Sequence, residues 1–210
     1  MFEMNTCYRF LILCIICLYN SPSFSQNMDI DLLRKWNVNR NKSLDRPMEF
    51  VSDAEYIVGI AAPLSVAVYG FLAKDSSYKA HGIQLCAALF VNTASTYALK
   101  KIVNRPRPAT SYSFIDTKEI DKYLSFPSGH TSNAFVTASS LSFCYPKWYV
   151  IAPSFLWAGG VAYSRMHLGA HYPSDVLAGA IVGVASAWIT HKGNQWLRNK
   201  YYQKRILGEL

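Results

Sequence analysis

Five stretches, Ile57–Ala73, Ile83–Leu99, Ser132–Tyr145, Trp148–Tyr163 and Val176–Ile189, contain no Asp, Glu, Lys or Arg within a chain of 210 residues. A helix that is apolar on every side has no solvated face and must be buried in protein or in lipid. So many buried helices in so short a chain leave too little polar surface to solvate a soluble bundle. The expected fold is therefore all-α, a transmembrane helical bundle of about five spans. A hydrocarbon core of ~30 Å takes ~20 helical residues, so each stretch is short. Flanking Tyr, Trp and Lys, and helix continuing beyond the apolar part, close the gap. Charged residues make up 16% of the chain, against ~25% in soluble domains, and the shortfall lies in these stretches.

Four regions follow. Residues 1–25 carry Arg9, the apolar run Phe10–Tyr19 and small residues at Ser23 and Ser25, the pattern of a signal peptide cut before Gln26 or, uncleaved, of an anchor. Residues 26–50 are mixed and charged, and Ile30, Leu32, Leu33 and Trp36 give one apolar helical face. That suits an interfacial helix or a solvated exported one. Residues 51–191 hold the bundle, and 192–210 form a basic cytoplasmic tail. The net charge of +8 comes mainly from Lys100–Arg107 and Lys192–Arg205, which lie between and after apolar spans. That distribution argues against nucleic acid as a partner. Cys7, Cys14, Cys17, Cys86 and Cys144 draw no disulfide framework and no metal spacing.

If the chain is exported from Gln26, the spans alternate so that Lys74–Lys79, Pro146–Lys147 and the tail lie inside. A basic tail inside obeys the positive-inside tendency. The loops Lys100–Ser128 and Ser164–Asp175 then share the outer, periplasmic face of the cytoplasmic membrane. Lys100, Lys101, Arg105 and Arg107 break the charge rule there, and an anionic ligand explains the breach better than topology does.

Those loops carry three polar clusters. In Lys100–(six residues)–Arg107–Pro108, the prolines stiffen the chain and the guanidinium offers a planar fork for two phosphate oxygens. In Pro127-Ser128-Gly129-His130, Ser128 is a natural helix N-cap and free amides at a helix start bind anions. Gly129 lets the backbone approach an anion closely, and His130 sits where it can protonate a leaving oxygen. In Ser164-Arg165–(five residues)–His171–(three residues)–Asp175, His171 can attack phosphorus if Asp175 aims its ring and stabilises the resulting cation. Arg165 supplies a second guanidinium. His167 and His171 are spaced HxxxH, which raises zinc, but no HExxH glutamate and no third ligand accompany them. Metal: none is the expectation. Each cluster alone also reads as an ordinary capped helix or as snorkelling bases; the set reads as phosphate transfer.

K-x6-RP, PSGH and SR-x5-H-x3-D, in that order and separation, resemble the three signature motifs of the type 2 phosphatidic acid phosphatase (PAP2) superfamily. The resemblance runs over Ile57–Ile189 and every signature position is present. It implies a helical core in which His171 forms a phosphohistidine, His130 is the general acid and Asp175 orients His171. Lys100, Arg107, Ser128, Gly129 and Arg165 would bind the phosphate, and no cofactor is implied. Membrane members often have six spans, one more than this chain shows besides its signal-like segment.

The function expected is a phosphomonoesterase or pyrophosphatase acting on a phosphorylated membrane lipid such as lipid A, undecaprenyl diphosphate or phosphatidylglycerol phosphate. The alternatives are a non-specific exported acid phosphatase and a non-catalytic phospholipid-binding membrane protein. Surplus bases Lys101, Arg105, Lys118 and Lys122 suit a headgroup with several charges. The connector Ala109–Phe126, bearing Tyr112, Phe114, Tyr123 and Phe126, is expected at the rim of the site.

Overall fold

A computed structural model describes residues 22–117 and 124–206. The signal-like segment up to Ser21 and the connector residues Lys118, Lys122 and Tyr123 lie outside the described residues. All regular structure among the described residues is helical. The helices are α1 (Pro22–Asn37), α2 (Asp45–Leu72), α3 (Ser76–Val103), α4 (Pro108–Ser111), α5 (Gly129–Cys144), α6 (Trp148–His167) and α7 (Pro173–Ile206), with a 3-10 turn at Lys42–Leu44.

The bundle is dressed in the reverse of a soluble protein. Ile57, Ile60, Leu64, Val68 and Phe71 of α2, Phe90 and Tyr97 of α3, and Leu177, Ile181 and Trp188 of α7 all point outward. Inside lie small and polar residues: Asn92, Thr96, Ser132, Thr137, Ser139 and Ser140, with Ala88, Ala134, Ala138, Ala158 and Ala187. Lipid rewards this arrangement, because apolar side chains gain nothing by leaving it while backbones gain by close packing. Asn92 Nδ2 donates to Ser132 Oγ at 3.2 Å and to Asn133 Oδ1 at 2.8 Å, tying α3 to α5.

Among the described residues, three helices are long and apolar enough to cross a membrane, over Lys42–Leu72, Ser76–Ser111 and Pro173–Lys200. They coincide with three of the five expected spans. α5, over the third stretch, has 16 residues, about 24 Å at the helical rise, and its buried serines and threonines face the interior. Its apolar run in the sequence reflects a core helix wrapped by α3, α6 and α7 as much as a lipid-facing one.

α5 and α7 meet at close range, and this contact builds the site. A Cβ on Gly179 would stand 2.6 Å from the Ser128 carbonyl oxygen, and one on Gly183 2.4 Å from that of Ser132. Only hydrogens fit there, so the second and third turns of α7 lie against the start of α5. The Ser128 amide donates to the Asp175 carbonyl oxygen at 3.0 Å, closing the joint.

α1 docks on the same end of the bundle. Leu33 and Ile30 bury against Ile115 and Tyr172. Asn37 Nδ2 donates to the carbonyls of His167 (3.0 Å) and Asp116 (2.9 Å), and its Oδ1 accepts from the Asp116 amide at 3.0 Å. α2 begins at Asp45, so one continuous helix crosses the division drawn at residues 50 and 51.

Candidate active site

The three sequence clusters meet at one end of the bundle. α3 ends beside them in a left-handed Asn104 whose amide donates to the Lys100 carbonyl at 3.0 Å. The Arg105-Pro106-Arg107-Pro108 run then turns back over the bundle. α5 starts at Ser128, whose hydroxyl accepts from the Thr131 amide at 3.4 Å, the N-cap that its sequence predicts. α6 ends in a tight reversal: Leu168 N donates to Ser164 O at 2.9 Å and Ala170 N to Arg165 O at 3.0 Å. Gly169 takes a φ of +68° there, and a Cβ on it would meet Asn37 Nδ2 and Ile115 Cγ2, each at 2.8 Å. Both constraints select glycine. The reversal delivers His171 to the site and Asp175 to the first turn of α7.

A cavity of about 160 Å³ opens here, lined by Tyr56, Lys100, Arg107, Gly129, His130, Asn133 and His171. It is smaller than the ~300–1,000 Å³ of drug-sized ligand pockets and suits a headgroup. Of the eight sequence-predicted site residues, Lys100, Arg107, Gly129, His130 and His171 are on its wall. Ser128, Arg165 and Asp175 lie behind it, each at most 1% exposed. Lys100 Nζ donates to the Leu124 carbonyl at 2.7 Å, and Arg107 is buried with Nη1 3.5 Å from the Ala170 carbonyl. Arg165 Nη1 donates to the Ser52 hydroxyl.

His171 is 1% exposed. Its Nδ1 lies 3.6 Å from Asp175 Oδ2, an ion-pair rather than a hydrogen-bond distance. Ser125 fills the space between: its hydroxyl donates to Asp175 Oδ2 at 2.5 Å and lies 3.4 Å from His171 Nδ1. The Tyr172 amide donates to the same carboxylate oxygen at 3.1 Å. With Nδ1 turned to the carboxylate, Nε2 is the ring nitrogen on the cavity side. Burial pushes the His171 imidazole down to about 3, and Arg165 and Arg107 push the same way while Asp175 opposes them. The ring is therefore neutral at physiological pH, with a lone pair to use. His130, half-buried and lining the same cavity, packs edge-to-face on Tyr56 with ring centroids 4.6 Å apart.

One expectation changes. Arg105, read as a surplus base for a headgroup, is committed elsewhere: it pairs with Asp175 and Asp29, each at 2.7 Å. An arginine between two carboxylates has little charge left for a ligand. His167 turns away from His171, its Nε2 2.9 Å from Asp45 Oδ1. Among the described residues no group of three or more His, Cys, Asp or Glu side chains is placed to hold a metal ion.

Sequence reasoning missed Tyr56, Asn133 and Ser125. Asn133 carried a signal, since it follows His130 by three residues and shares its helical face. Tyr56 and Ser125 carried none, because only the packing of α2 and of the connector brings them in.

A family model described as the PAP2 superfamily matches residues 81–199, more than half of the sequence. The chain belongs to the PAP2 superfamily. It is 29% identical over 143 residues to the lipid A 4'-phosphatase of Bacteroides thetaiotaomicron, a match covering 62% of each chain. This PAP2 protein thus spans under two thirds of that relative's length. It is also 29% identical over 199 residues to an undecaprenyl-diphosphatase of Sulfolobus acidocaldarius, covering 86% of this chain and 84% of the other. The crystal structure of Aquifex aeolicus LpxE superposes with a TM-score of 0.66 at 28% identity, covering 79% of this chain and 95% of that one. With three helices able to cross a membrane, this PAP2 protein is a multi-pass membrane protein.

Proposed function

We propose that this protein is a metal-independent lipid phosphatase working through a phosphohistidine on His171. The observation that carries the reading is two imidazoles and two cationic side chains lining one cavity, with a carboxylate behind one imidazole. Lys100 and Arg107 hold the phosphate oxygens, helped by the amides at the start of α5, while Arg165 adds positive charge from behind. His171 Nε2 forms the P–N bond as the P–O bond to the lipid breaks, and His130 gives the leaving oxygen its proton. Asp175 holds the imidazolium that results. Water then attacks phosphorus, His130 takes the water's proton, the P–N bond breaks and inorganic phosphate leaves.

The substrate is a phosphorylated membrane lipid, bearing a monophosphate or a diphosphate. The activities for which the relatives are named, on lipid A and on undecaprenyl diphosphate, support that class. Detergent-solubilised protein is expected to release phosphate from such lipids and from p-nitrophenyl phosphate at unchanged rate in EDTA. Loss in EDTA with recovery on added zinc or magnesium would overturn the metal-independent reading.

The site faces the outside of the cytoplasmic membrane and the basic tail from Lys192 faces the cytoplasm. α5 and α6 complete the spans between them. α1 lies in the outer interface, its exposed Met28, Leu32 and Trp36 one turn apart along one stripe. Cysteines substituted at Ser113 and Gln203 are expected to react with a membrane-impermeant thiol reagent from outside and only after permeabilisation, respectively. The reverse pattern defeats the orientation.

A further inference from the structure

We propose that Asp29 and Arg105, which the signature motifs leave out, form a positioning strut that fixes Asp175 and, through it, His171. The inference rests on the reading of His171 as nucleophile.

Arg105 grips Asp175 from both sides. Its Nη1 donates to Asp175 Oδ1 at 2.7 Å, the oxygen turned away from Ser125. Its own carbonyl accepts from the Ser125 amide at 2.8 Å, and the Ser125 hydroxyl in turn donates to Asp175 Oδ2. One residue thereby sets the position of both carboxylate oxygens, and the carboxylate is 0% exposed. The guanidinium is itself immobilised, lying 3.8 Å above the Tyr172 ring beside His171.

Asp29 anchors the other end. Its Oδ2 accepts from Arg105 Nη2 at 2.7 Å and from the Ser174 hydroxyl, and its Oδ1 accepts from the Ser174 amide at 2.9 Å. Ser174 is in the first turn of α7, so Asp29 caps that helix from a different element, where a carboxylate is favoured. Ser174 Oγ also accepts from Arg105 Nη1 at 2.7 Å. A carboxylate of α1, 5% exposed, therefore locks the turn that carries Asp175. An ordinary surface ion pair would contribute little. This pair is mostly buried and shares a partner with the nucleophile's carboxylate.

A nucleophile must be aimed to within a fraction of an ångström, and displacement by about 1 Å costs up to ~100-fold in rate. The strut acts on aim and not on phosphate binding, so its loss lowers kcat and spares KM. In the full-length detergent-solubilised protein, Arg105→Gln is expected to slow p-nitrophenyl phosphate turnover and rapid-quench phosphohistidine formation by about 10–100-fold, with KM within about twofold. Asp29→Asn is expected to act in the same direction but less. The double variant should lose clearly less than the product of the two single losses, because Asp29 and Arg105 pair with each other and share Ser174. Asp31→Asn, on the exposed side of α1, should behave as wild type.

A raised KM at unchanged kcat would overturn the strut and make Arg105 a phosphate ligand. Losses that multiply in the double variant, or a lowered melting temperature with wild-type kcat, would equally overturn it. Should Arg105→Gln fail to fold, Asp29→Asn, which keeps the guanidinium on Asp175, carries the same comparison of kcat with KM. Failure of the underlying reading looks different: wild-type protein would form no phosphohistidine, or His171→Ala would stay active.

Discussion

His171→Ala is expected to lower turnover of every phosphate ester by about 10⁴-fold or more and to remove the acid-labile phosphoenzyme altogether. The expectation follows from how completely the ring is prepared. It is buried, kept neutral by burial and neighbouring cations, and held on its Nδ1 side by Asp175 and Ser125. Of the other side chains on the cavity wall, Tyr56 packs its ring on His130 and the Lys100 ammonium is tied to the Leu124 carbonyl. Neither is presented as a neutral, aimed nucleophile. Radiolabelled substrate with rapid quenching at alkaline pH, where phosphohistidine survives, measures both turnover and intermediate. A phosphoenzyme that persists in His171→Ala would place the nucleophile elsewhere. Asp175→Asn is expected to keep a trace of intermediate, since the nucleophile remains while its aim and the stabilisation of its cation are lost.

Most of the wall of the site was legible in the sequence because its residues sit in three short runs. Lys100 with Arg107, Gly129 with His130, and His171 with Asp175 each need only a helix end or a tight turn to reach their places. Ser128 is likewise an N-cap by local chemistry alone. What stayed hidden depends on distant packing. Ser125 meets Asp175 only because the connector returns under Arg105, and Tyr56 meets His130 only because α2 leans on α5. Asp29 lies 146 positions before Asp175 in the chain and looks like one charge among many in a mixed segment. No periodicity marks it as buried. Arg105 misled for a related reason: sequence shows a cation, but only the structure shows the two carboxylates that neutralise it. The bundle was legible from its charge-free stretches, yet their number overstates what α5 alone shows. An apolar run with Ser132, Thr137, Ser139 and Ser140 reads alike whether lipid or protein surrounds it.

The role of His130 shows itself in how damage depends on the leaving group. As a general acid it contributes ~10²–10⁴-fold when the departing oxygen is a poor leaving group, and much less when that oxygen is stable as an anion. A lipid alkoxide needs the proton; nitrophenolate hardly does. His130→Ala should therefore reduce turnover of a lipid or alkyl phosphate by about 10²–10⁴-fold, and slow formation of the intermediate from p-nitrophenyl phosphate far less. The placement is compatible with this division of labour, since His130, the second residue of α5, lines the same cavity as His171. On the proposed mechanism its hold on the phosphate itself would be dispensable, because Lys100 and Arg107 would supply the charge there. The same ring must later take a proton from the attacking water, so breakdown of the intermediate should slow for both substrates alike. With nitrophenyl phosphate the variant is expected to show a burst of nitrophenol followed by slow turnover, a pattern wild type lacks. Equal loss on alkyl and nitrophenyl esters in the formation step, without a burst, would show that His130 binds phosphate and moves no proton.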